Sequence, residues 1–382
     1  MKSFKEKIAF IVYGLIVFLV KLVPVRKKEN HLLLIKTDEI GDYILFRNYL
    51  KDISTNKKYK NDKIVLLGNI IWKQLFDVFD SHIVSDSVWI DKKRFNKNLF
   101  YRFQILFKIH AYGFSEVINC IYSRSAITDD CFTEVVNCST KTAMKADLSN
   151  RKIREEKSDN KVYNNIISAG DSRLFDLIRN KHFISNLLKE SPEKLNNTVL
   201  MQPVNAINIS KEYVVIFSGA GKQSKKWRPD YFATVILYLV EKYNYTIYLA
   251  GGKGDISDSK AISDLLSVPV IDVTGKTTML ESLELLKGAK FALSVDTGSV
   301  HMAAGVNCPV IALYSGVHYG RFAPYPTEVF NHFYDIYPDF VDKMIEKNDP
   351  ELYNPTYLSY NIIKEIRPEK VIAQIDKLYT SI

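Results

Sequence analysis

Four segments combine small residues, charge and the point where an apolar strand gives way to a helix. In Ser294-Val295-Asp296-Thr297-Gly298-Ser299-Val300-His301 the strand ends at Asp296, so the N–H groups of Thr297 and Gly298 face any anion lying at the helix start. In Ser218-Gly219-Ala220-Gly221-Lys222-Gln223-Ser224-Lys225-Lys226-Trp227-Arg228-Pro229, small residues let backbone donors approach a ligand and lysines add charge suited to a phosphate or diphosphate. Gly251-Gly252-Lys253-Gly254-Asp255 is a third such loop, where Asp255 can accept a hydrogen bond from a ribose hydroxyl. The fourth, Thr37-Asp38-Glu39-Ile40-Gly41-Asp42, ends on a carboxylate at a helix start, a position that favours its anionic form. Each also has a purely structural reading: Asp42 and Asp296 as helix caps, His301 as a satisfied helix histidine, residues 218–229 as a solvated basic turn.

Two nucleotide signatures fail on spacing. A phosphate-binding P-loop needs glycine five residues before the Gly221-Lys222 pair, where Ile216 stands, and Ser or Thr after the lysine, where Gln223 stands. The dinucleotide pattern GxGxxG is incomplete at 251–255, and the loop after the first strand has the single glycine Gly41. An ATPase and a hydride-transfer enzyme therefore lose their best markers.

The flanking sequence predicts the scaffold. His31–Lys36 is a continuous apolar run of strand length, and the apolar positions from Tyr43 to Ile53 then follow helical spacing, with Arg47, Asn48, Lys51 and Asp52 on the other face. Lys63–Gly68 and Glu116–Ile121 read as further buried strands, Asn137–Lys161 as an exposed polar loop, and Phe175–Leu188 as a helix. The second half alternates regularly: strands at Tyr213–Phe217, Tyr245–Ala250, Val268–Val273, Lys290–Val295 and Pro309–Tyr314, helices at Tyr231–Tyr243, Thr278–Lys287 and from Gly298. Thr278 and Glu281 form a capping box, and Gly288 suits the helix stop. This pattern gives parallel α/β sheets whose ligands gather at the carboxyl ends of the strands. A length of 382 residues exceeds what one core usually organises, and the expected division is 1–28, 29–195, a linker 196–212, 213–365 and a C-terminal helix 366–382.

Charge and cysteines narrow the class. The formal charge is +9, and much of the excess sits in residues 1–30, where Lys2, Lys5, Lys7, Lys21, Arg26, Lys27 and Lys28 face only Glu6 and Glu29. No helix-turn-helix or RNA-binding aromatic pattern accompanies it, which argues against nucleic acid as a partner. The basic residues flank the apolar run Ile8–Val20, short for a spanning helix and followed by no signal-peptide cleavage pattern, so an interfacial helix over residues 1–28 is expected, with a buried helix and a single span as its rivals. Cys120, Cys131, Cys138 and Cys308 show neither CxxC nor zinc-finger spacing, so no metal and no disulfide scaffold is expected.

Taken together, Ile35-Lys-Thr-Asp-Glu-Ile-Gly-Asp42, Ser218-Gly-Ala-Gly221 with Lys225-Lys-Trp-Arg-Pro229, Val273-Thr-Gly-Lys276 and Asp296-Thr-Gly-Ser-Val-His301 resemble glycosyltransferase family 9, the family of the lipopolysaccharide heptosyltransferases, in the family's order. The resemblance runs from about residue 31 to 326 and is thin from 70 to 210. It implies a GT-B fold, two Rossmann-like domains facing a central cleft, with acceptor bound by 29–195 and nucleotide sugar by 213–365. It implies an inverting enzyme without cofactor or metal, in which Asp42 is the general base. Ser218, Gly219, Gly221, Lys225, Asp255, Lys276, Asp296, Thr297, Gly298 and His301 would bind the donor, ADP-heptose or another nucleoside-diphosphate sugar. The acceptor would be a glycan or glycolipid such as lipopolysaccharide core, met at the cytoplasmic face of a bacterial inner membrane. A non-catalytic nucleotide-sugar or glycan-binding protein of the same fold is the alternative. The apolar N-terminal segment and the polar stretch 137–161 are departures from the soluble enzymes of that family.

Overall fold

The computed structural model describes residues 2–147, 150, 159–171, 173–354 and 357–380. The chain forms two units: one takes the chain up to Gly170 with Leu177–Asn196, the other Asp171–Asp176 with the chain from Asn197 on.

The first unit is built on β1 (His31–Lys36), β2 (Lys63–Asn69), β3 (Asp86–Ile90), β4 (Glu116–Asn119), β5 (Thr140–Met144) and β6 (Asn165–Ile167), in the order β3-β2-β1-β4-β5-β6. Every pairing is parallel; Leu33 stands opposite Val65 on one side and Val117 on the other. A parallel sheet is covered on both faces, which is why β1 is apolar throughout rather than alternating. Leu33, Ile35, Val65, Leu67 and Val117 share one core with Ile105, Leu106 and Ile109 of the helix α6 (Leu99–Ala111), which follows α4 (Lys73–Phe79) and α5 (Lys92–Lys97) in the chain and covers this face.

The same core takes in Ile16, Val17 and Val20 of the helix α1 (Lys2–Lys21). The segment expected to stand apart as 1–28 is thus half core. Its carbonyl at Val23 meets His110 Nε2 at 2.8 Å, and Lys28 N donates to Gly113 O at 2.8 Å. Its outer side remains exposed and apolar, with Ile11 at 70% and Phe18 at 58% exposure. Among the described residues no helix is long and apolar enough to cross a membrane.

The second unit repeats the topology with β7 (Tyr213–Phe217), β8 (Thr246–Ala250), β9 (Ile271–Asp272), β10 (Ala292–Val295), β11 (Val310–Leu313) and β12 (Phe333–Ile336), in the order β12-β11-β10-β7-β8-β9, again all parallel. In each sheet the strand order reverses once, between β1 and β4 and between β7 and β10, which opens a crevice at the carboxyl ends of those strands. The Thr278–Glu281 capping box forms: Thr278 Oγ1 accepts from Glu281 N at 3.2 Å, and Glu281 Oε2 accepts from Thr278 N at 2.7 Å.

Several expectations need correction. The helical pattern 43–53 divides into α2 (Ile40–Ile44) and α3 (Tyr49–Thr55), and Arg47, expected on the outer face, lies buried in the break, paired with Asp80 through Nε at 2.8 Å and Nη2 at 2.7 Å. Asn137–Lys161 is not one exposed loop, because β5 runs through it between β4 and β6 with Ala143 and Met144 buried. Residues 148–149 and 151–158 of that stretch lie outside the described residues. The strand expected over 268–273 shortens to Ile271–Asp272 at the sheet edge. Gly288 ends its helix for steric room: a Cβ there would sit 2.5 Å from the Tyr213 hydroxyl.

The two sides of α1 should respond differently to substitution. Val20→Asp places an unpaired carboxylate among Ile16, Val17 and the sheet, and should cost on the order of 3 kcal/mol or more, with a matching fall in melting temperature. Phe18→Ser on the outer side should stay within about 0.5 kcal/mol of wild type. Thermal unfolding followed by circular dichroism checks both, and equal melting temperatures for Val20→Asp and wild type would show that α1 is no part of the core.

Candidate functional site

The residues singled out by the sequence gather at the two strand-order reversals. In the first unit, Lys36 ends β1 and its ammonium group reaches back, 2.9 Å from Asp38 Oδ2 and 5.1 Å from the centre of the Phe46 ring. Asp42 lies in α2 as the third helical residue, not as the cap itself; its Oδ2 accepts from the N–H of the capping residue Glu39 at 3.3 Å. A carboxylate in the first helical turn is favoured by the helix dipole.

Sequence reasoning passed over Asp38. Burial pushes its carboxyl up to about 7, the ammonium of Lys36 opposes that, and the neighbouring Asp42 carboxylate adds to it. Asp38 Oδ1 is buried without a hydrogen-bond partner. Beside it, Thr37 Oγ1 donates to Asp129 Oδ1 at 2.8 Å, and Lys92 Nζ lies 3.4 Å from the same oxygen. The signal in the sequence was Asp38, Glu39 and Asp42 within the six residues after β1; what it lacked was Asp129, which only folding brings to Thr37.

In the second unit the loop after β7 lies between its neighbours because β7 pairs with both β8 and β10. Ser218 is buried, and Gly219 has no room for a side chain, since a Cβ would overlap the Asp255 carboxylate. Asp255 Oδ2 in turn accepts from Gly252 N at 2.8 Å, so the acid expected to meet a ribose also holds the loop in which it lies. Gly221 is exposed, with open space around it. Lys276 is exposed, its Nζ donating to Asp272 O at 2.6 Å, while Gly275 N donates to Gly251 O at 2.9 Å and holds the 273–276 turn against the Gly251 loop.

Lys225 reaches the end of β10: its Nζ lies 2.8 Å from Asp296 Oδ2 and 3.4 Å from Asp296 O. Trp227 fixes the segment by donating from Nε1 to Ile366 O at 2.9 Å and packing edge-on against Phe232. Thr297, extended, precedes the helix Gly298–Gly305, and its Oγ1 lies 2.6 Å from Ser299 Oγ, which is 2.7 Å from Ser294 Oγ. The N-terminal N–H groups of that helix, the Lys225 ammonium and the small residues at 218–221 thus meet at one strand-order reversal, an arrangement suited to a diphosphate.

Tyr360 had no sequence signal. Its ring lies 4.6 Å from Lys225 Nζ, 5.4 Å from Lys222 Nζ and 6.2 Å from the His318 ring, joining the lysine loop to the aromatic stretch His318–Pro324 that follows β11. In that stretch Arg321 Nε lies 3.2 Å from Asp176 Oδ1, both groups buried. His301 is buried as well, its Nδ1 2.5 Å from the Tyr325 hydroxyl. Burial lowers its pKa to about 4 against the opposing charges of Asp296 and Asp176, so the ring is neutral at physiological pH. Among the described residues no group of His, Cys, Asp and Glu could hold a metal ion.

The His301 shift carries a sign that can be measured. Above its unfolded value of 6.5 the ring is neutral in both states; as pH falls from there toward 4 the unfolded chain takes up a proton that the folded one refuses, and roughly 3 kcal/mol of stability is lost. Asp38 slopes the other way, because its folded value is raised, so the test is a difference between proteins. His301→Gln should be less stable than wild type at pH 7, and the gap in melting temperature should close toward pH 4. A gap independent of pH would mean that His301 is not held neutral.

Known proteins share part of this sequence and its fold. In the curated set, the chain is 27% identical over 175 residues to the lipopolysaccharide core heptosyltransferase OpsX of Haemophilus influenzae, covering 45% of this chain and 50% of the relative. It is 28% identical over 177 residues to lipopolysaccharide heptosyltransferase 3 of Escherichia coli, covering 45% and 48%. The chain therefore spans about half the length of the curated relatives it matches. Its fold matches a glycosyl transferase family 9 structure from Veillonella parvula with a TM-score of 0.68 at 14% identity, over 94% of this chain and 99% of that one. It also matches the heptosyltransferase WaaC of E. coli solved with ADP, with a TM-score of 0.62 at 16% identity, over 91% and 99%. The GT-B-like α/β fold with two parallel sheets is thereby shared with both structures. The sequence model of glycosyltransferase family 9 (heptosyltransferase) matches residues 124–348, more than half of the 382, and the chain belongs to that family.

Proposed function

We propose that this chain is an inverting glycosyltransferase that moves a sugar, heptose in the first instance, from a nucleoside-diphosphate sugar to a membrane-associated glycan such as lipopolysaccharide core. The observation that carries the reading is the convergence of Lys225, the 218–221 loop and the N-terminus of the Gly298–Gly305 helix where the strand order reverses. The names of the relatives, lipopolysaccharide heptosyltransferases, support the sugar and the acceptor, and a structural neighbour solved with ADP-2-deoxy-2-fluoro heptose supports the donor class.

The proposed chemistry is a single displacement. Asp42 takes the proton of the acceptor hydroxyl, the oxygen attacks the anomeric carbon from the face opposite the diphosphate, and the bond from that carbon to the diphosphate oxygen breaks. The leaving diphosphate gains negative charge, which the Lys225 ammonium and the helix N–H groups stabilise, so no divalent metal is required in this reading. With donor bound, Lys225 exchanges the Asp296 carboxylate for phosphate oxygens. Asp255 offers its remaining lone pairs to the ribose, and Ser218, Gly219, Gly221 and Lys276 complete the donor contacts. His301, a buried residue of that same helix, fixes it through its hydrogen bond with Tyr325. Transfer at the cytoplasmic face of the inner membrane, with residues 1–28 associated with the bilayer through the outer side of α1, completes the proposal; the apolar exposure of Ile11, Leu15, Phe18 and Leu22 supports it.

Asp42→Asn separates an enzyme from a binding protein of the same fold. The amide oxygen still accepts from Glu39 N, so the helix start is kept while the base is lost. Turnover with saturating donor should fall about 10²–10⁴-fold with melting temperature and donor affinity unchanged. Wild-type turnover in a folded variant would remove Asp42 from the mechanism, and a wild-type protein that binds the donor yet transfers nothing would favour the binding protein. Lys225→Ala should weaken ADP binding by about tenfold or more, since a charge-assisted contact to phosphate is lost. Isothermal titration with ADP reads this directly, and an unchanged dissociation constant would remove Lys225 from the donor site.

A further inference from the structure

We propose that α6 supplies the second half of a bilayer-binding face, so that this chain docks on anionic lipid through two helices side by side rather than through its N-terminal segment alone. The inference rests on the membrane reading of residues 1–28. It starts from the order of contacts between the helices. Tyr13 of α1 donates its hydroxyl to Asn96 O at 2.9 Å and lies under the Arg102 guanidinium at 3.6 Å, and ten residues further on Val23 O meets His110 Nε2 at 2.8 Å. The contacts advance together along both segments, so α1 and α6 run in the same direction as neighbours.

Both helices turn a stripe toward one face of the sheet. Ile16, Val17 and Val20 of α1 and Ile105, Leu106 and Ile109 of α6 enter the core that holds Leu33, Ile35, Val65 and Leu67. Their opposite stripes therefore point away from the sheet on the same side. On α6 that stripe is Phe100, Phe103 and Phe107, at helical spacing of three and four, with Phe100 70% exposed and Phe103 and Phe107 stacked at 6.1 Å. A surface helix of a water-soluble domain carries polar residues there. Here it carries exposed phenylalanines, as the neighbouring α1 carries exposed Ile11, Leu15 and Phe18, and exposed apolar rows on adjacent helices mark an interaction site.

Charge selects the occupant. Neither Phe10–Lys28 nor Lys92–Ala111 contains an Asp or Glu; the exposed cations are Lys21, Arg26, Lys27 and Lys28 on the first segment and Lys93, Arg94, Lys97 and Lys108 on the second, and the exposed carboxylate Glu29 adjoins the first. Aromatic and aliphatic side chains flanked by cations that far outnumber carboxylates match the acyl boundary and headgroups of an anionic bilayer. A second copy of the same face would set these cations against one another.

The test uses the full chain and extruded vesicles of phosphatidylcholine, with and without phosphatidylglycerol. Wild type should sediment with the phosphatidylglycerol vesicles, and the triple variant F100S/F103S/F107S should lose at least about tenfold in partitioning while its melting temperature and ADP affinity stay unchanged. If the triple variant binds as wild type does while F18S/L22S is released, α1 acts alone: the proposal fails and the membrane reading of residues 1–28 stands. If wild type ignores both vesicles, both readings fail. If wild type is a dimer without lipid and the triple variant a monomer, the face joins two copies and the proposal is overturned.

Discussion

A sheet whose strands all run the same way has no face to spare for water, and that requirement organises this chain. Each crossover must return a helix to the sheet, so apolar residues line both sides of β1 and β7, and the charged loops of the candidate site lie at the carboxyl edge. In the first unit the requirement reaches further than the crossovers. The face formed by Leu33, Ile35, Val65 and Leu67 is covered by α6 and by α1, a helix that precedes the first strand and belongs to no crossover. A helix apolar all round is used on one side to close the sheet and leaves its other side uncovered.

At the carboxyl edges the same closeness of packing acts on protons. Burial disfavours charge whichever sign it has, and it moves two groups in opposite directions toward one outcome: the Asp38 carboxyl up to about 7 and the His301 imidazole down to about 4. Three buried arginines keep a carboxylate partner. Arg47 is paired with Asp80, Arg124 with Asp130 and Arg321 with Asp176. Lys225 and Asp296 differ in being only partly enclosed, with side-chain exposures of 22% and 11%, and so can trade each other for an incoming anion.

What the sequence displays is what repeats or lies close along the chain. The strand–helix alternation of the second half, the Thr278–Glu281 cap and the strand-end positions of Asp296 and Ser218 follow from periodicity and spacing within about twenty residues. Three kinds of feature were hidden. β5 reads as polar because Thr140-Lys141-Thr142 offers one face of a strand without the apolar run that marks its neighbours. Arg47 reads as solvent-facing because its partner Asp80 lies 33 residues away. Tyr360 is separated from Lys225 by 135 residues, and a lone tyrosine announces nothing until the fold sets it beside a lysine. Site chemistry carried by a single loop is therefore legible, and chemistry assembled from two or three loops is not.

The close approach of Gly219 to Asp255 ties two positions that a linear reading treats as separate loops. Any side chain at 219 would occupy the volume of the Asp255 carboxylate, which in turn holds Gly252 through its N–H. The constraint therefore runs one way: while the acid stands at 255 the residue at 219 must be glycine, and only its loss makes room there for alanine or serine. Such a coupling orders the substitutions open to the two loops, so that a side chain enters at 219 only after the carboxylate at 255 has gone.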